Sequence, residues 1–204
     1  MNTSAASEPV PSLSPTLLSE RYAQRARAAR AQDPECDVST WLLAALLAQL
    51  PADLLIAGEP ALLAASQVDL ELVDELLARA ADVHARLHDP ERAPHLFDGA
   101  SVLHRATDPA IIRRLEAAGA DPNARTTSGE TPLHHACRAA DVERLEALLA
   151  IGARVEPTGE GVVPEDLLQL PGQASATVAH CRALLAAARL GNGLPVSLPA
   201  VRHR

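Results

Sequence analysis

Residues 128–152 read SGETPLHHACRAADVERLEALLAIG, two short helical patterns broken at Ala140-Asp141. Thr131 can accept a free backbone N–H as the N-cap of the first. Pro132 then takes the first helical position, where its missing N–H costs nothing. Leu133, Ala136 and Cys137 share the inner face. In the second helix Val142, Leu145, Leu148 and Leu149 fall at i, i+3, i+6 and i+7, the stripe of a helix buried on one side. Gly152 supplies a C-cap. Helices this short are marginal alone. Each pair must therefore lean on neighbours of the same shape, and the chain has to supply them.

It does. The run Asp98-Gly99-Ala100-Ser101-Val102-Leu103-His104-Arg105-Ala106 aligns with residues 128–136, with Ser101 for Thr and Val102 for Pro. Its second helix carries Ile111, Ile112 and Leu115 and ends at Gly119-Ala120-Asp121. Thr131-Pro132-Leu133-His134-His135-Ala136 resembles the T-P-L-H-x-A signature of the ankyrin repeat, a turn plus two antiparallel helices in about 33 residues. The resemblance implies that Thr131 and His134, and likewise Ser101 and His104, tie the start of each first helix to its surroundings by hydrogen bonds. Pro132 and Leu133 complete that structural set.

Two weaker units flank these. One begins at Gly58-Glu59-Pro60-Ala61-Leu62-Leu63, with Leu70, Val73, Leu76 and Leu77 in its second helix. The other begins at Gly161-Val162-Val163-Pro164-Glu165-Asp166, with Val178, Cys181, Leu184 and Leu185 inward on the last helix. Glu165 stands where Leu133 does, which suits a solvent-facing end unit. From Leu103 to Asp121 is 18 residues, against 21 from Leu133 to Arg154. The second unit is thus three residues short, and Thr107-Asp108-Pro109 tightens its inner turn.

The expectation is an all-α, ankyrin-like solenoid of about four units with an N-terminal helical cap. Residues 1–15, rich in Ser and Pro, are read as disordered, 16–57 as the cap, 58–190 as repeats and 191–204 as a loose tail. In the cap, 16–31 is a helix with a basic surface and a mostly alanine inner face, too weak to insert into a membrane. Ser39–Leu50 is apolar nearly all round and is read as a buried helix, with Trp41 as core rather than pocket wall.

Composition limits the function classes. Apolar residues make up 48% of the chain and aromatics 1%, and every cation among the 18 is arginine. That excludes lysine Schiff-base and P-loop chemistry. A formal charge of −8 disfavours nucleic acid and anionic membrane. Cys36, Cys137 and Cys181 are odd in number and widely spaced, so reduced thiols in the cytoplasm are expected. No apolar run reaches membrane-spanning length, and no cofactor is implied. His84, His88, His95 and His104 match no short zinc-ligand pattern. His134 and His135 beside Cys137 invite a Cys–His reading, but the cap explains His134 and Cys137 takes a small-residue core position.

The sites expected to bind a partner come from two places. Fifteen residues separate Val83 from Gly99, against six between Pro122 and Gly129. The insertion holds His84, His88, Arg92, His95 and Phe97, an aromatic and arginine set suited to an interface. The ankyrin resemblance further implies recognition by finger tips and by the inner face of the first helices. Those positions are Phe97, Asp98, Ala100, Arg105 and Thr107, then Arg125, Thr127, Ser128, Glu130, Arg138 and Ala139. Arg105 and Arg138 would flank a concave groove and meet carboxylates of a partner. The expected role is a monomeric, non-catalytic protein–protein interaction module acting as scaffold, inhibitor or regulator, with the partner unidentified. Two alternatives stand beside it. One is an exported bacterial effector acting on a host protein, since residues 1–15 resemble the Ser-rich leaders of injected effectors. The other is an enzyme with divergent repeats.

Overall fold

The computed structural model describes residues 14–33, 39–51, 55–56, 59–88, 98–169 and 175–191. The expected disordered leader up to residue 13, the tail from 192 and most of the 84–98 insertion lie outside the described residues.

Two helices open the chain. Helix α1 (Pro15–Gln32) starts with Ser14 as N-cap and Pro15 inside the first turn, and packs along α2 (Ser39–Gln49). A two-residue antiparallel pair follows, β1 (Leu55–Ile56) with β2 (Glu59–Pro60). Then come three helix pairs: α3 (Ala61–Ala65) with α4 (Leu70–Ala78), α5 (Val102–Arg105) with α6 (Pro109–Ala117), and α7 (Pro132–Ala139) with α8 (Val142–Ala150). A fourth pair is formed by a 3-10 helix (Pro164–Gln169) and α9 (Ser175–Arg189).

The pairs stack in two rows. The first helices run α3, α5, α7 and the 3-10 helix; the second helices run α4, α6, α8 and α9. One continuous apolar cluster threads both rows, from Leu18 through Leu62, Leu103 and Leu133 to Leu185. Of the α8 stripe, Leu145 and Leu148 are fully buried, while Val142 and Leu149 pack on the cluster from its edge. Helices α4, α6 and α8 each begin with an aspartate N-cap that accepts a first-turn N–H: Asp69 from Leu72 (3.0 Å), Asp108 from Ala110 (2.6 Å) and Asp141 from Arg144 (3.0 Å).

The cap is bolted to the first pair from both ends. The Tyr22 hydroxyl and Arg25 (3.2 Å) both bond the Asp69 carboxylate. Arg79 donates back to the carbonyls of Ala48 and Leu50, the unsatisfied end of α2. Here one expectation is corrected. Helix α2 is not buried all round, because Leu42 and Leu46 are 48% and 51% exposed. Their face points away from the stack, and an apolar composition alone does not say how many neighbours a helix has. Trp41 packs against the core from its edge, and Leu17 is exposed.

The inter-repeat turns are held by recurring contacts. Asp82 and Asp121 each accept the N–H two residues on, from His84 (2.8 Å) and Asn123 (2.9 Å). Arg86 bonds the carbonyls of Gly99 and Arg125, both at 3.0 Å; Arg125 bonds those of Gly129 (2.9 Å) and Pro157 (3.1 Å). Each arginine thus fastens its own turn to the next. Gly99 has φ +76°, and a Cβ there would lie 3.1 Å from the Thr127 backbone nitrogen. Adjacent turns therefore stack closely only because that position is glycine.

Candidate functional site

The starts of α5 and α7 are each fixed by a histidine. His104 Nδ1 accepts the Ser101 N–H (3.0 Å) and lies 2.9 Å from the Ser101 hydroxyl, while its Nε2 is 3.1 Å from the Glu130 carbonyl. A carbonyl only accepts, so Nε2 carries the proton and the ring is neutral. Burial, helped by neighbouring His135, pushes the His104 pKa down to about 3. His134 repeats the arrangement one unit on. Its Nδ1 accepts from Thr131 N–H (3.2 Å) and its Nε2 donates to the Val162 carbonyl (3.2 Å). Burial lowers its pKa as well, against the raising effect of the Val162 bond and Glu130. Each ring thus ties its own helix start to the next turn.

The three residues missing from the second unit prove to be a missing helical turn. Helix α5 is four residues long where α7 is eight. The space that a longer α5 would fill is a cleft of about 310 Å³, lined by Gln67, His104, Arg105, Thr107, His135, Arg138, Ala139 and Arg144. It opens along the row of first helices. At its edge Arg138 and His135 hold the Glu130 carboxylate, His135 Nε2 lying 3.2 Å from Oε2. Burial would raise the Glu130 pKa, but the His135 bond and the Arg138 charge outweigh it and hold the carboxyl below its ordinary value. The rings of His104 and His135 meet edge to face, 5.0 Å between centroids.

The expected partner-binding residues divide accordingly. Arg105, Arg138, Thr107 and Ala139 line the cleft. Asp98, Thr127 and Ser128 sit together in the turns: the Asp98 carbonyl accepts from Thr127 N (2.9 Å) and Thr127 Oγ1 (3.1 Å), and Ser128 Oγ is 2.9 Å from Thr126 Oγ1. His88 is exposed, with Nδ1 3.5 Å from Asp98 Oδ1. Arg125 is committed to the turn stack and to Glu156 (3.1 Å). Glu130 and Ala100, expected at the surface, are buried, Glu130 to 6% exposure. They occupy the equivalent position just before the N-cap, wedged between consecutive first helices, and that position is corrected from surface to interior. Arg92, His95 and Phe97 lie outside the described residues.

Sequence reasoning missed Arg144. It sits three residues after the N-cap aspartate of α8, where α4 has Leu72 and α6 has Ile111, both core residues. A cation in a position that its sister units fill with leucine and isoleucine was the available signal.

Cys137 is fully buried, and burial pushes its thiol pKa up, so it stays protonated and is no nucleophile. Both nitrogens of His134 are spent, one on the cap and one on the Val162 carbonyl. Among the described residues no group of three or more His, Cys, Asp or Glu could hold a metal ion, and no helix is long and apolar enough to cross a membrane.

Residues 61–159 match the family model for ankyrin repeats, in three copies. The chain is an ankyrin-repeat protein. The match begins at the first residue of α3 and ends in the turn before the 3-10 helix. The matched ankyrin repeats are thus the three α-helical pairs; the helical cap and the fourth pair lie outside them. No curated protein matches the chain.

Proposed function

We propose that this ankyrin-repeat protein is a non-catalytic module that binds one protein partner along its row of first helices. What carries the reading is the gap over α5. It leaves Arg105, Thr107, Arg138 and Ala139 around an open cleft, while the apolar sides of both helix rows are sealed against each other. The turn residues Asp98, Thr127 and Ser128 extend the same surface. The 84–98 insertion, with His88, Arg92, His95 and Phe97, adds a second contact from the finger side. Such a surface combines a concave floor with an arginine-bearing rim, the chemistry that anchors protein interfaces.

The test is affinity capture from the native cell with the full chain, with Arg105→Ala/Arg138→Ala, and with the 84–98 loop shortened. Circular dichroism first establishes that each variant is folded. The expected outcome is a protein retained by the wild type and weakened about tenfold or more by the double substitution, the loss of contacts to charged groups. A partner held equally by all three forms refutes recognition through this face.

A further inference from the structure

Arg144 is the unusual residue of the cleft. It replaces a core leucine or isoleucine, and it is only 6% exposed. Its Nη2 donates to the carbonyls of His104 (2.7 Å) and Leu103 (3.4 Å), at the end of the shortened α5. That accounts for one nitrogen. Among the described residues Nε finds no acceptor, and no carboxylate comes within ion-pair distance of this guanidinium. A buried cation satisfied by two carbonyls at one corner is expensive to keep. Its neighbour makes matters worse: Arg105 lines the same cleft, and the two positive groups repel. Burial lowers the Arg144 pKa, Asp141 supports its charge, and Arg105 opposes it.

The lining as a whole points the same way. Among the described residues, three arginines and two histidines face the space, and no aspartate or glutamate does. This cationic spot lies in a chain of net charge −8. Glu130 at the edge is already held by Arg138 and His135. The cleft's 310 Å³ is about ten times the space one water takes in the liquid. It accommodates a carboxylate together with the methylene stem that delivers it. A planar carboxylate is also what a guanidinium fork matches in two parallel bonds.

We propose that the cleft over the missing turn of α5 is a carboxylate-binding site, with Arg144 as its floor and Arg105 as its wall, that takes an acidic side chain of the bound partner. An anion there turns the Arg105–Arg144 repulsion into two attractions. It also gives the array a reason to keep an arginine in a leucine position. The proposal rests on the protein-binding reading for the identity of its ligand, but the site itself can be tested without any partner.

The experiment is an NMR titration of the arginine side-chain Nε–H signals of the full chain. The probes are sodium glutarate, inorganic phosphate and a capped peptide with consecutive glutamates, each against sodium chloride at equal ionic strength. The expected result is a saturable shift of the Arg144 and Arg105 signals with glutarate and the peptide, with the peptide the tighter. Arg105→Gln, which leaves the α5 carbonyls untouched, should weaken binding about tenfold. Arg144→Leu, which restores the residue type of the sister units, should fold and bind no probe. Shifts no larger than those with chloride overturn the proposal. Phosphate binding without glutarate overturns the carboxylate assignment, and glutarate as tight as the peptide overturns the partner side chain as its source. Anion shifts in a chain that captures no protein sink the protein-binding reading alone. Capture that persists without any anion shift sinks the carboxylate site alone.

Discussion

Acid should unfasten this array through its cap histidines, and His104 sets the size of the effect. Folded, its pKa is about 3; its ordinary value is 6.5. Above 6.5 the ring is neutral both folded and unfolded, and its cap bonds contribute in full. Below 6.5 the unfolded chain takes up a proton that the folded one refuses. Stability therefore falls as pH falls, by about 1.4 kcal/mol for each pH unit, until about pH 3. His134, also lowered, adds to the slope in the upper part of that window. The Glu130 carboxyl, held below its ordinary value, adds a loss of the same sign once pH drops under about 4.5. Over one unit from pH 6.5 to 5.5, His104 alone should remove about 1 kcal/mol, and His134 adds a loss of the same sign. That is a measurable share of the 5–15 kcal/mol typical of a folded domain. Urea unfolding followed by circular dichroism at pH 7.5, 6.5 and 5.5 measures it. His104→Gln should be less stable at pH 7.5, because the Glu130 carbonyl and the Ser101 N–H lose a well-placed partner. It should also show a shallower pH slope than the wild type. A wild-type stability that is flat from pH 7.5 to 5.5, or a slope unchanged in His104→Gln, refutes the assignment of a neutral, doubly bonded ring.

Other outcomes follow from the packing. Leu145→Ala removes a fully buried side chain from α8 and should cost about 2–5 kcal/mol in urea unfolding; an unchanged midpoint would contradict its core position. Gly99→Ala puts a Cβ on a left-handed backbone 3.1 Å from the Thr127 nitrogen and should cost about 1–2 kcal/mol. Cys137 and Cys181 are both buried, and burial raises both thiol pKa values, so iodoacetamide should label them only at the rate of unfolding. Labelling of either thiol within minutes in the native protein would show the helix pairs open there.

What could be read from residues alone was the repeating unit. Thr131-Pro132-Leu133-His134 and the α8 stripe carry it because caps and apolar spacing are local physics. The deficit of three residues in the second unit was legible too, but not that it removes a turn of helix and opens a cleft. That needs the neighbours on both sides. Glu130 was misplaced because a carboxylate before an N-cap normally faces water; here Arg138 and His135 meet it inside. Leu42 and Leu46 were misplaced for the opposite reason, since the end of a stack has one neighbour fewer than its sequence suggests. Arg125 looked like a surface contact and turns out to fasten two turns. Arg144 was passed over because the i, i+3 stripe steps across its position.

The shortest first helix stands in the middle of the row, not at an end. With a single turn, α5 has almost no cohesion of its own: the Glu130 carbonyl of the following unit accepts a hydrogen bond from His104, and Arg144, from that same unit, closes its carbonyl end. A solenoid usually frays inward from its tips, shedding one module after another. This one has its weakest link enclosed, so cutting the chain at either flank strands the centre, and the smallest piece able to hold its shape must include both sides of α5.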